Sequence, residues 1–334
     1  MTHKRRFYYP NNFPTIIQLV ILVLILAGTF WFLKTSDNKK QAIITTSTEN
    51  QKKYNSATTI LSTIESKQKD FDEAFSKLNI QAQAAVVWDV NTQTSLYSKN
   101  QDLALPLASI TKLMTALLSH ELVESNKIMS INIDAVRQDG DQGLKAGEKI
   151  KANLLSDLAL VSSSNDAAYA MAFNIGKLLG DKNPLQQFIT AMNIRAEELN
   201  LNTVRFYNPT GLDLNNNKPG AIGSAKDIAV LTEYIIKHYP EIITDTGYEQ
   251  ITITDNQGKS ITANNTNVIL KKIPGLIGSK TGFTDLAGGN LMIAFDAGYN
   301  RPIIVVVLKS TYNKRFEDVL KLVNTTRAII GETE

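Results

Sequence analysis

The chain has 334 residues, 43% hydrophobic and 20% charged, enough for one large domain or two modest ones and unlike a disordered, collagen-like or many-span membrane protein. Lys4, Arg5 and Arg6 stand in an acid-free opening stretch and account for the formal net charge of +3, so the remainder is neutral and shows no electrostatic footprint for nucleic acid. The absence of cysteine removes thiol nucleophiles, Cys-ligated zinc, iron–sulfur clusters and disulfides, and nothing around the three histidines, His3, His120 and His238, favours a catalytic triad.

Residues 1–15 form a basic tail, and from Ile16 to Leu33 run 18 residues without a charge. As a helix they span roughly 27 Å, close to a bilayer's hydrocarbon core. The HKRR cluster before them places the amino terminus inside by the positive-inside rule. The run is longer than a signal-peptide core and leaves through WFLKTSD, so residues 16–33 are expected to be a retained single-pass anchor with everything after Lys34 outside.

Residues 34–56 read as a polar, solvated tether. Ala57, Leu61, Ile64, Gln68, Phe71, Phe75 and Leu78 then step by four and three, the seam of an amphipathic stalk helix over 57–78. Three heptads with a glutamine in the seam are marginal for a coiled coil, so packing on its own domain is expected ahead of weak self-association.

From residue 79 to 334 the pattern is denser. AQAAVVWDV and SLYS around a polar NTQT turn read as a strand pair. Pro106 stops the next strand and an apolar helix begins in LPLASITKLMTA, where Ser109 and Lys112 share a helix face and the amine can lie over the hydroxyl. A lysine can take a serine's proton only where burial or neighbouring positive charge favours its neutral form. The plainer reading is a helix N-cap followed by a solvated lysine, and S-x-x-K recurs at Ser36 to Lys39 and Ser66 to Lys69 in the stalk.

LLSDLALV, NDAAYAMAFNIGKLL, LQQFITAMNIRAEEL and AKDIAVLTEYIIKHY form a helical block. Within it VSSSNDAAYA sets Ser163 and Asn165 as S-x-N: a hydroxyl and an amide able to relay a proton and hold a peptide oxygen, or two helix-capping residues. Strands return in the hairpin ITITDNQGKSITA, in LIGSKTG, GNLMIAFDA and PIIVVVLKS, before a closing helix from about Lys314 to Ile330. Lys280, Thr281 and Gly282 make the chain's single K-T-G, a cation and a hydroxyl that can receive a carboxylate beside a glycine that would let substrate backbone approach the strand edge. GLIGSKTG is no phosphate loop, since Ser279 and Pro274 occupy the places of its glycines. Strands at both ends with helices between predict a mixed α+β domain: one sheet assembled from distant segments, an inserted all-helical lobe, and a site in the cleft between them.

In this order the three motifs resemble the active-site signature of the penicillin-binding proteins and serine β-lactamases. AVVWDVNTQTSLYSKNQDLALPLASITKLMTA, LKAGEKIKANLLSDLALVSSSNDAAYAMA, AEELNLNTVRFYNPTGLD, SAKDIAVLTEYI and KTGFTDLAGGNLMIAF are similar to the low-molecular-mass serine D-Ala-D-Ala carboxypeptidases, peptidase family S11, from about Asn79 to about Thr325. The resemblance implies the α/β fold of that superfamily, an antiparallel sheet flanked by helices, for a catalytic domain over 79–334. It implies Ser109 as acylated nucleophile, Lys112 as its base, Ser163 in proton relay and Asn165 on the opposite wall. Lys280 and Thr281, followed by Gly282, would bind the terminal carboxylate of a D-Ala-D-Ala stem peptide, and the backbone N–H groups of Ser109 and Phe283 would form the oxyanion hole. Lys280 would help keep Lys112 neutral.

The implied partners are peptidoglycan stem peptides and β-lactam antibiotics, with no metal or organic cofactor, at a bacterial cytoplasmic membrane. The family often carries a β-rich domain and a membrane helix after the catalytic domain, whereas this sequence ends soon after its closing helix, so anchoring is expected at the amino terminus. A class A β-lactamase needs a glutamate in E-x-x-L-N, and the nearest string, Glu197-Glu198-Leu199-Asn200, has Ala196 in that place. A zinc H-E-x-x-H fails at Glu124, and the G-x-S-x-G of α/β-hydrolases does not occur. Two alternatives stand: a D,D-endopeptidase acting on cross-links, and a receptor that binds peptidoglycan or β-lactam without turnover.

Overall fold

Runs such as AAVVWD and PIIVVVLKS lack the polar alternation of a half-solvated strand and call for cover on both faces. The computed structural model supplies that cover. It describes Trp31, Lys34 and residues 69–140, 143–180 and 182–332. The basic tail, the tether and most of the anchor and stalk expectations lie outside these residues. Among the described residues no helix is long and apolar enough to cross a membrane.

In chain order come β1 (Ala84–Asp89), β2 (Thr94–Lys99), β3 (Leu105–Pro106), a 3-10 turn (Ala108–Thr111) and α1 (Lys112–Leu122). The helical lobe adds β4 (Ile128–Ser130), β5 (Lys149–Lys151), α2 (Ala152–Val161), α3 (Asn165–Leu179) and α4 (Pro184–Glu198). Then follow β6 (Arg205–Phe206), β7 (Ala221–Gly223), α5 (Ala225–His238), α6 (Glu241–Thr244), β8 (Gln250–Thr254) and β9 (Ser260–Asn264). The chain returns to the main sheet in β10 (Leu276–Thr284), β11 (Gly288–Asp296) and β12 (Pro302–Ser310) and closes with α7 (Lys314–Glu332).

The main sheet is antiparallel in the order β10-β11-β12-β1-β2, so strands from both ends of the domain meet where Val86 lies opposite Val306. The two-residue period of a strand then splits it into two apolar faces. Ala85, Val87, Ile303, Val305 and Val307 share one buried cluster with Phe316, Val319 and Leu322 of α7. Ala84, Val86, Ile304, Val306 and Leu308 share the other with the helical lobe. Each Val, Ile, Leu or Phe among them contributes about 1.5–3 kcal/mol on burial.

Residues 69–76 are helical, and Phe71 and Phe75 join the α7-side cluster, Phe75 with its ring 4.9 Å from that of Tyr97. This end of the amphipathic seam packs on its own domain. On the lobe side α1 has eight of its eleven residues buried, the surroundings of a central helix. Its buried first residue is Lys112, and β10 lies at the edge of the sheet.

Candidate active site

The strand ending at Pro106 does not run directly into an α-helix. Ala108 takes φ 48°, a left-handed conformation costing about 1–3 kcal/mol for a residue with a Cβ, and a 3-10 turn carries the chain into α1. Ser109, second in that turn, caps nothing: the cap positions Leu107 and Thr111 make no side-chain cap bond. The N-cap reading of Ser109 therefore fails, and its Oγ lies 2.7 Å from Lys112 Nζ. The turn is wedged between two glycines. Gly211, at φ 82°, abuts the Ala108 carbonyl, and a Cβ on Gly282 would stand 2.9 Å from Leu107 O and 3.2 Å from Ser109 N. The close approach that Gly282 permits is thus made by the turn that carries Ser109. Gly282→Ala is expected to push that turn off β10, with a stability loss of about 1–3 kcal/mol; thermal unfolding at the wild-type temperature would refute this.

The three consecutive serines of the lobe have separate tasks. Ser162 Oγ donates to Leu158 O at 2.8 Å, and Ser164 caps α3 by accepting from Ala167 N at 3.0 Å. Ser163, at φ 63°, turns the other way and accepts from Lys280 Nζ at 2.9 Å. Asn165 opens α3 with Oδ1 2.6 Å from Lys112 Nζ, and its Nδ2 donates to Asp139 O at 2.5 Å. The capping reading therefore belongs to Ser164 and not to Ser163.

Lys112 and Lys280 are both fully buried. Burial holds the Lys112 amine well below its usual basicity, the charge of Lys280 lowers it further, and Asp166 opposes both. Burial first and then Arg315 bring Lys280 down to about 7. Lys112 Nζ also lies 2.8 Å from Thr210 O. A neutral amine has two N–H groups and one lone pair; with Asn165 Oδ1 and Thr210 O as acceptors, the lone pair faces the Ser109 hydroxyl. This arrangement can deprotonate a serine. Beside it, Lys280 Nζ donates to Thr281 O at 3.0 Å, and Thr281 Oγ1 lies 2.5 Å from Thr266 Oγ1. A cation and hydroxyls at the sheet edge suit a carboxylate.

Phe283 follows on β10, 45% exposed as a residue, with its ring set edge-on to Tyr312 at 5.0 Å. Beyond it opens a cavity of about 730 Å³ whose walls include Asp139, Tyr207, Thr210, Asp213 and Phe283, room for a peptide leading away from the serine. The structure thus brings Ser109, Lys112 and Asn165 into one hydrogen-bonded group and Ser163, Lys280 and Thr281 into another beside it. Sequence reading passed over Thr210, Asp139, Thr266 and Arg315. The first two act through backbone carbonyls, which side-chain identity does not reveal.

The family model for D-alanyl-D-alanine carboxypeptidases, peptidase S11, matches residues 71–311. The D-alanyl-D-alanine carboxypeptidase DacF of Bacillus subtilis is 33% identical over 255 residues, covering 75% of this chain and 63% of DacF. A D-alanyl-D-alanine endopeptidase of Pseudomonas aeruginosa is 32% identical over 248 residues, 72% of this chain and 75% of that protein. Among solved structures, penicillin-binding protein D2 of Listeria monocytogenes in its ampicillin-bound form aligns with TM-score 0.62 at 28% identity, covering 75% of this chain and 98% of that one. The chain therefore spans less than two thirds of DacF's length, and the likeness falls on the domain that holds the site.

Proposed function

We propose, since the chain belongs to the D-alanyl-D-alanine carboxypeptidase family of serine peptidases, that it removes the terminal D-Ala from peptidoglycan stem peptides through an acyl-enzyme on Ser109. The observation that carries this reading is the Lys112 amine, buried, of lowered basicity and 2.7 Å from Ser109 Oγ. Lys112 takes the Ser109 proton as Oγ attacks the penultimate D-Ala carbonyl. The N–H groups of Ser109 and Phe283 hold the oxyanion, in a role where one donor typically contributes about 3–4 kcal/mol. The C–N bond then breaks, Ser163 relays a proton to the leaving amine, and D-Ala departs. Water attacks the ester and frees Ser109.

Lys280 and Thr281 receive the terminal carboxylate in this reading. Lys280→Ala is expected to raise KM for carboxylate-terminated peptides by about 10- to 100-fold, the loss of a hydrogen bond to a charged group. Unchanged KM would remove Lys280 from that role. β-Lactams acylate Ser109 in the same geometry, a reading supported by the ampicillin-bound relative. Residues 16–33 anchor the chain in the cytoplasmic membrane with the catalytic domain outside, a reading supported by their uncharged length and the basic cluster before them.

The second reading is a D,D-endopeptidase, favoured by the Pseudomonas relative at nearly the same identity. Intact mass spectrometry with a penicillin, run beside D-Ala release from a stem peptide and cleavage of a cross-linked dimer, separates the cases. An adduct with D-Ala release supports the carboxypeptidase, and an adduct with dimer cleavage alone supports the endopeptidase. An adduct with neither product indicates a binding receptor.

A further inference from the structure

We propose that Arg315, outside all three motifs, is a positioning residue that polarises the Gly282–Phe283 peptide and thereby strengthens Phe283 N–H as an oxyanion donor. The inference rests on the acyl-transfer reading above. Arg315 lies in the first turn of α7, is 3% exposed, and donates through Nη1 to Gly282 O at 2.7 Å. That carbonyl belongs to the same peptide group as Phe283 N–H. In a trans peptide the two point in opposite directions, and none of the described bonds is cis. A guanidinium bonded to the oxygen draws electron density along the conjugated C–N bond and makes the N–H on the far side a stronger donor, the cooperative effect seen along hydrogen-bond chains.

Stability alone gives a poor account of this arginine. Its described side-chain contacts are the Gly282 carbonyl, a hydrogen bond to Tyr312, and the rings of Tyr312 and Phe316 at 4.5 and 4.7 Å, with no carboxylate among them. Its Nε has no hydrogen-bond partner among the described residues. A buried cation without a counter-ion costs free energy that an apolar side chain of similar volume would avoid. The turn just before α7 reaches the candidate site by a second route, since Tyr312 also meets the Phe283 ring. Arg315 at the start of α7 and Tyr312 just before it therefore hold both the carbonyl before Phe283 and the ring of Phe283, and fix the direction of the N–H between them.

The test uses the whole chain acylated by a penicillin carrying ¹³C at its β-lactam carbonyl, with the Ser109 ester band read by infrared difference spectroscopy. In Arg315→Met the band is expected at higher wavenumber than in wild type, with the acylation rate constant about tenfold lower. Arg315→Lys, which keeps a charged donor, is expected to fall between them in both readouts. A purely structural role would lower thermal stability and the active fraction but leave the ester band in place. Unshifted bands and wild-type rates in folded Arg315→Met would overturn the inference, and should that variant not fold, an unshifted band with a wild-type rate in Arg315→Lys would do so. Failure of wild type to form any adduct would instead sink the acyl-transfer reading, and this proposal with it.

Discussion

Ser109→Ala is expected to gain no mass on incubation with a penicillin and to release no D-Ala from a D-Ala-D-Ala peptide, while remaining folded. The loss is complete because the covalent step needs Oγ, and among the described residues no other hydroxyl is hydrogen-bonded to Lys112 Nζ. The described partners of Lys112 Nζ are Ser109 Oγ, Asn165 Oδ1 and Thr210 O, so Ser109 carries the single hydroxyl among them. Ser163 Oγ is instead hydrogen-bonded to Lys280. The fold should survive because Ser109 supplies no helix cap, and the change removes one hydrogen bond, about 1 kcal/mol. Intact mass spectrometry beside thermal unfolding checks both halves. A penicillin adduct at wild-type stoichiometry on a folded Ser109→Ala protein would move the nucleophile elsewhere.

The main sheet was legible because burial on both faces writes apolar runs into β1, β11 and β12, and α7 because its apolar spacing repeats. The strands β3, β6 and β7, of two or three residues, are too short to carry any period. At the site, side-chain identity and order were enough to single out Ser109, Lys112, Ser163, Asn165 and Lys280. The division of labour among Ser162, Ser163 and Ser164 was not readable, since three identical residues are distinguished only by backbone dihedrals and by where α3 begins. The expected role of Gly282 was tied to substrate backbone, because the fold of Ala108 and Ser109 against β10 is a tertiary contact between residues more than 170 positions apart. Arg315 reads in sequence as an ordinary basic residue near the start of a helix; its burial follows from how α7 packs across the sheet.

Lys112→Met should slow acylation of Ser109 by about 10²- to 10⁴-fold, the usual contribution of a positioned general base. Methionine fills similar volume and ends the cost of burying an amine, which offsets the two acceptors, Asn165 Oδ1 and Thr210 O, that it leaves without their donor. The loss should therefore appear in rate and not in folding. The pH profile identifies the base more sharply than the rate does. Lys112 acts as a base only when deprotonated, so wild-type kcat/KM climbs as pH rises through its lowered pKa. In the proposed role Lys280 would hold a carboxylate only when charged, so kcat/KM is expected to fall again as pH rises through about 7. The proposed roles of the two lysines need opposite protonation states, and the charge of Lys280 adds to the burial that already disfavours the charged form of Lys112. In Lys112→Met the acidic limb should vanish while the alkaline limb stays near its wild-type position. An acidic limb that persisted unmoved in the residual activity would assign the proton transfer to a different group.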